Sequence, residues 1–238
     1  DQNAPALSKI LPVSSADFAA VWGQFTARLV SADLIDIPKV PDTIEGRENP
    51  LFHLPACDAD SKMYWLDISP SAPQDWRRKS VFKDARAKES KLARLGIDFV
   101  YSRETGFCAE LFQILRDQRN RRFVATGRDN SLETRPGYAA FYDLLCQGAS
   151  AGGPVVTFCL RSRTELVSAY IALVGPDSIH GVLISIGEEE WHRYSPGMVL
   201  ITKIIDWSER EGLKTVYFGT GTQDYKLRFG GRAMRLGR

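Results

Sequence analysis

Two stretches of the chain hold residue types that do chemistry at close spacing. In GTGTQDYKLRFGG, residues 219–231, glycines alternate with a phenol and two cations directly behind the strand-like run LKTVYF. Gly219 and Gly221 leave room for a ligand to approach the backbone. Tyr225 offers a proton, Lys226 a charge for a phosphate or an oxyanion, and Arg228 a second cation for an anionic substrate. In EEEWHRYSPGM, residues 188–198, Glu190 and His192 are candidate general bases, and the imidazole has the more suitable ordinary pKa. Ser195, Gly197 and Met198 follow at the start of a helical run, where first-turn N–H groups receive anions. Each group also has a plain structural role: glycines for chain reversal, acids on a solvated loop, a serine–proline helix start, a lysine beside a half-buried tyrosine.

The elements that must position these residues follow from periodicity. Ser14 and Ser15 are candidate N-caps of a helix with Phe18, Val21, Trp22, Phe25 and Leu29 on one face. The strand DLIDI, a proline-containing loop and the strand MYWLDI come next. Asp75 is expected to cap a helix over 76–95, in which Arg77, Arg78, Lys79, Lys83, Arg86, Lys88, Lys91 and Arg94 face only Asp84 and Glu89. Such a helix is either a solvated connection or a cationic wall, with Arg78 and Lys79 as substrate-binding candidates. A strand (IDFVYS), a helix over 107–122, a turn over 127–130 and a helix opened by Pro136 follow. Three antiparallel strands (PVVTFCLR, ELVSAYIALVG, SIHGVLISIG), the helix after Pro196 and the strand LKTVYF complete the order β-α-α-β-β-β-α-β over residues 97–218.

Composition narrows the function. Thirty-one Lys plus Arg against 29 Asp plus Glu leave +2, too balanced to argue for nucleic acid from net charge. Four widely spaced cysteines without a CxxC pair read as free thiols in a reducing, cytoplasmic setting. His53 and Cys57 lack the further ligands a metal needs. No apolar run reaches the roughly 20 residues of a membrane span.

The element order is that of the GNAT acyltransferase fold, and YSPGMVLITKIIDWSEREGLKTVYFGTGTQDYKLRFGG resembles the CelD-like acetyltransferases of bacterial cellulose and exopolysaccharide clusters. The likeness covers residues 75–231 and is most specific in the spacing from SPG through EG and GxG to YK. FemAB-type peptidoglycan transferases share the ending YK…FG. The resemblance implies an α/β (α+β) protein with a mixed, mostly antiparallel sheet flanked by helices. It implies acetyl-CoA or another acyl-CoA as donor, no metal, and a small-molecule, glycan or lipid-linked acceptor from exopolysaccharide or cell-envelope synthesis. Two positions depart from the family: YSPG stands where the pyrophosphate loop Gln/Arg-x-x-Gly-x-Gly/Ala is usual, and Tyr217 stands where the CelD-like pattern has Asp. Residues 15–68 repeat the element order after Pro196. The expected organisation is therefore the second half of a first GNAT-like repeat over 1–74, a basic connecting helix over 75–95 and a GNAT-like domain over 96–238. FemAB-like transfer from aminoacyl-tRNA, drawing on the basic helix, and a non-catalytic module binding a polysaccharide-synthesis partner remain the alternatives.

Overall fold

In a computed structural model, the structure describes residues 14–29, 35–44, 47–54, 57, 61–221 and 224–238. Its helices are α1 (Ser15–Thr26), α2 (Ser80–Arg94), α3 (Thr105–Ala125), α4 (Ser131–Thr134), α5 (Tyr138–Gln147), α6 (Pro196–Arg210) and α7 (Tyr225–Arg228). The strands are β1 (Val40–Pro41), β2 (Thr43–Ile44), β3 (Arg47–Glu48), β4 (Ser61–Asp67), β5 (Asp98–Ser102), β6 (Val155–Arg161), β7 (Leu166–Val174), β8 (Ser178–Ile186), β9 (Thr215–Thr220) and β10 (Arg232–Gly237). The chain divides into two compact units, residues 1–64 with 220–223 and 232–238, and residues 65–219 with 224–231.

In the smaller unit, Ser14 caps α1 by accepting from the Asp17 N–H. The apolar stripe of α1 is only partly covered: Phe18 and Trp22 are half-buried and stack on each other, whereas Val21, Phe25 and Leu29 are exposed. β1 pairs antiparallel with β10, and buried Asn49 ties the turn after β3 by donating to the Pro41 carbonyl at 2.7 Å. The expected strand DLIDI corrects to irregular chain at 35–37, and Asp33 and Leu34 lie outside the described residues. Ile35 is exposed, the Asp36 carboxylate is held by two bonds from Arg238 at 2.7 and 2.8 Å, and Pro38 has no N–H for a ladder.

The larger unit is a sheet in the order β4-β9-β8-β7-β6-β5, to which β4 contributes its C-terminal end. β5 to β8 form an antiparallel meander, and β8 reaches β9 through α6, a parallel crossover. On one face, α3 and α5 cover Val155, Cys159, Ala169, Ile171 and Leu183 with Phe112 and Leu115. On the other, Trp207 of α6 meets Phe158 edge-on at 4.9 Å. Burial holds the thiols of Cys146 and Cys159 protonated, with pKa values pushed up to about 12.

Three expected boundaries move. Asp75 does not cap the basic helix: it lies in a 3-10 turn over Gln74–Arg78, and α2 starts only at Ser80 after the extended Lys79. The break lets Trp76 turn into the core against Phe82, 5.1 Å away. Pro136 precedes α5 without joining it, because Gly137, at φ 80°, is the N-cap, and α4 fills the segment after the expected turn. α3 runs longer than 107–122 at both ends. Nor is α2 a fully solvated connection, since Val81, Phe82, Ala85 and Leu92 bury one face of it within the larger unit.

Candidate functional site

The site starts from a place where two strands stop pairing. β8 and β9 bond only at Ser178↔Thr215, Ile179↔Val216 and His180↔Tyr217, and both strands continue beyond that ladder. Where they part, β8 carries a bulge: the pairing with β7 passes from Ala172↔Gly181 to Ile171↔Leu183, which leaves Val182 without an opposite residue. Gly187 donates to the Val167 carbonyl, so alternation along the antiparallel ladder turns the Ile184 N–H and C=O away from β7 and into the gap.

On one face of the gap, Tyr225 and Lys226 stand on α7. This short helix is anchored by Phe229, which lies between Phe218 of β9 and Phe82 of α2 at ring distances of 6.1 and 5.3 Å. Lys226 is 1% exposed, and its Nζ donates to the Gly219 carbonyl at 3.1 Å. Burial lowers its pKa to about 8. The same effect pushes the Tyr225 phenol up to about 12, which keeps its proton in place at neutral pH. Gly219 takes φ 75° at the end of β9, and a Cβ there would sit 3.6 Å from the Gly181 carbonyl. Gly181 in turn is required by Tyr170: an added Cβ would fall inside the tyrosine hydroxyl and 2.6 Å from its Cζ. Because Tyr170 is buried and cannot swing aside, Gly181→Ala is expected to destabilise the fold by about 1–3 kcal/mol, read as a lower melting temperature.

His180 occupies the opposite face. It is the β7 neighbour of Leu173, which packs on the α3–α5 core, and its ring stacks on Tyr217 at 4.3 Å with 13° between planes. Its Nε2 lies 3.3 Å from Ser178 Oγ, and burial lowers its pKa, so the neutral ring prevails at neutral pH. The sequence reading passed over His180 because it sits inside a regular strand; its one signal was a polar ring in the run SIHGVLISIG.

At the far end of β8 the chain makes a 3-10 turn over Glu189–Tyr194, where Glu190 and His192 are exposed. Ser195, at φ 46° and ψ 55°, then starts α6 with Pro196 in first position. Its hydroxyl does not cap the helix; it receives a bond from Lys88 Nζ of α2 at 2.5 Å. Gly197 packs against Ile186, whose Cδ1 would lie 3.3 Å from an added Cβ, and Met198 is half-buried. The fold thus brings Gly219, Tyr225 and Lys226 together and joins Ser195 to Lys88, while Gly197 packs on β8. Lys79 lays its stem on Gly230, 3.2 Å from a Cβ placed there, whereas Arg78 and Arg228 are exposed. Gly221, at φ 101°, belongs to the smaller unit.

The family model of the acetyltransferase (GNAT) domain matches residues 79–227. The chain belongs to this family. Solved structures agree on the GNAT fold at very low identity. FemX superposes with a TM-score of 0.62 at 8% identity, covering 94% of this chain and 77% of its own. The C-terminal domain of a putative lysylphosphatidylglycerol synthetase from Agrobacterium fabrum gives 0.53 at 13%, covering 76% of this chain and 60% of its own, so this chain spans less than two thirds of its length. L-PGS from Bacillus licheniformis gives 0.52 at 12%, covering 79% and 62%. No curated protein sequence matches the chain.

A GNAT domain implies an acyl-CoA donor, and the residues present fit one. β8 and β9 stop pairing with each other after His180↔Tyr217, and the positive end of α6 lies beside the Lys88 ammonium with no acid in the helix's first turn. Two positive centres repel unless an anion lies between them, which suits a diphosphate. Among the described residues no cluster of His, Cys, Asp and Glu has metal-holding geometry, and no helix is long and apolar enough to cross a membrane.

Proposed function

We propose that this GNAT domain transfers an acyl group, most simply acetyl, from acyl-CoA to an amine or hydroxyl of an exopolysaccharide or cell-envelope precursor. The observation that carries this reading is the place where β8 and β9 part, with a protonated phenol, Tyr225, on one face and a neutral imidazole, His180, on the other. Bound donor supplies the activated thioester carbonyl. His180 takes the proton of the attacking amine or hydroxyl as the new bond to the acyl carbon forms. Tyr225 gives its proton to sulfur as the carbon–sulfur bond breaks. Lys226 positions this end of the site, since its bond to the Gly219 carbonyl ties α7 to the end of β9. The acceptor class rests on the spacing from SPG to YK.

Ser195, Gly197 and Met198 at the start of α6, with Lys88, hold the donor's phosphates in this scheme. Lys88→Met is expected to weaken acetyl-CoA binding about tenfold and to flatten its salt dependence, measured by calorimetry at two ionic strengths. Undiminished binding would remove Lys88 from the donor site.

The exposed cations of α2, Lys83, Arg86, Lys91 and Arg94, favour a second reading, transfer from an aminoacyl-tRNA. Parallel titrations decide between the two. Micromolar binding of acetyl-CoA supports the first, salt-sensitive binding of tRNA without CoA binding supports the second, and neither leaves a binding module.

A further inference from the structure

A polar pair on the α3 face of the gap has no part in the proton transfers described above. Asn130, 5% exposed, caps α4: its Oδ1 accepts from the Leu132 N–H at 3.4 Å and from Arg119 Nε at 3.3 Å. Two donors on that oxygen fix the orientation of the amide, because the flipped group would set NH2 against an N–H and a guanidinium. Asn130 Nδ2 is thereby left buried with no hydrogen-bond partner. Native folds rarely leave such a donor unmatched unless something else supplies the acceptor.

Arg119 reaches the same place from α3. Its Nη1 donates to the Ile184 carbonyl at 3.3 Å, the group that the β8 ladder turns into the gap, and its guanidinium lies over the Phe123 ring at 4.5 Å. Burial lowers its pKa, and the titratable groups that act on it are the neutral Tyr142 phenol and the Arg122 guanidinium, with no carboxylate of the described residues among them. Arg116, one turn earlier, is already committed to Glu133 by bonds of 2.6 and 2.8 Å. This corner of the α3 face therefore offers one uncompensated cation and one orphaned N–H2, side by side and next to the parted strands.

We propose that Arg119 and Asn130 form a carboxylate-recognition subsite for the acceptor, with one ligand oxygen on Asn130 Nδ2 and the other on the Arg119 guanidinium. One cation matches one negative charge, and two donors on neighbouring side chains match the two oxygens of a planar carboxylate. The acceptor is then an amine or alcohol that carries a carboxylic acid, such as an acidic sugar, an amino acid or a peptide end. This deepens the acyltransferase reading and rests on it, because it takes the α3 face as the side from which the acceptor enters.

The test is a titration of the full chain, with 15N-labelled arginine, by acetate, acetamide and phosphate, read at the Arg119 Nε resonance. Acetate is expected to shift it in the millimolar range, with acetamide needing at least tenfold more. Asn130→Asp keeps the cap of α4 and the acceptor for Arg119 but replaces the orphaned donor with an oxygen. It should weaken acetate at least tenfold without lowering the melting temperature. Equal responses to acetate and acetamide, no response to acetate, a preference for phosphate, or unchanged acetate affinity in Asn130→Asp would each overturn the proposal. Calorimetry with acetyl-CoA on the same samples separates the two claims: both proteins should bind it equally, and wild type that takes acetate but no acetyl-CoA would overturn the acyltransferase reading alone.

Discussion

His180→Gln is expected to lower acyl transfer by about 10²- to 10⁴-fold, the usual contribution of a positioned general base, while acetyl-CoA binding stays intact. The variant keeps a polar side chain of similar reach against Tyr217, so the ladder that ends at this pair should survive. The pH profile gives an independent signature. Burial holds the His180 pKa below the ordinary 6.5, so the acid limb of kcat/KM should fall below that value and vanish in the variant. His192→Gln is the matched comparison, since that imidazole is exposed on the 3-10 turn beyond β8. If His180→Gln turns over at the wild-type rate with its acid limb unchanged while His192→Gln loses activity, the base belongs to the turn and not to the strand.

The second large effect separates stability from activity. Lys226→Met should reduce transfer about tenfold or more, by releasing α7 and its Tyr225 from the end of β9, and yet abolish a pH dependence of stability that wild type shows. The folded pKa of Lys226 is about 8 against an ordinary 10.5. Below pH 8 both the folded and the unfolded chain hold the proton, and the folded state bears the cost of a buried charge, about 3 kcal/mol for a shift of this size. From pH 8 to 10.5 the unfolded chain binds more protons, so wild-type stability rises with pH across that window. Methionine removes the charge and with it this pH dependence, and it forfeits the contacts of the ammonium, the hydrogen bond to the Gly219 carbonyl among them. Relative to wild type, the variant should therefore lose about 3 kcal/mol of stability between pH 7 and pH 10.5, as read by denaturant melts. A wild-type melt that is flat from pH 8 to 10.5 would show that the ammonium is not buried as described.

The sequence by itself determined the order of elements from β5 to β9 apart from the one-turn α4, because the longer elements announce themselves locally. The meander reads as apolar β runs with short turns, and α6 as a helical repeat of Ile201, Ile204, Ile205 and Ser208 ended by Gly212, which takes φ 75°. It also brought forward Tyr225 and Lys226, since glycines, a phenol and cations directly behind a strand are visible as a string. Local patterns misled where burial was decided at long range. Asp75 had the right type for a cap, but the helix start was set by Trp76 turning into the core, and the apolar stripe of α1 promised burial that Val21 and Phe25 do not receive.

Only the tertiary structure decided what faces the gap between β8 and β9. His180 looks like one more strand residue until the parallel ladder is seen to end at it. Gly181 looks like a weak point in a strand until the Tyr170 hydroxyl is found to occupy the space of its side chain. Arg119 and Asn130 stand eleven positions apart on either side of a helix end, and nothing in their spacing foretells that they meet. Lys88 was one of eight basic residues on a helix, and the register of α2 against α6 singled it out by setting its ammonium on Ser195. The physical reason is the same in each case. Periodicity records which face of an element is buried, whereas these positions are set by where two strands part and by which helix crosses them, and both depend on residues distant in sequence.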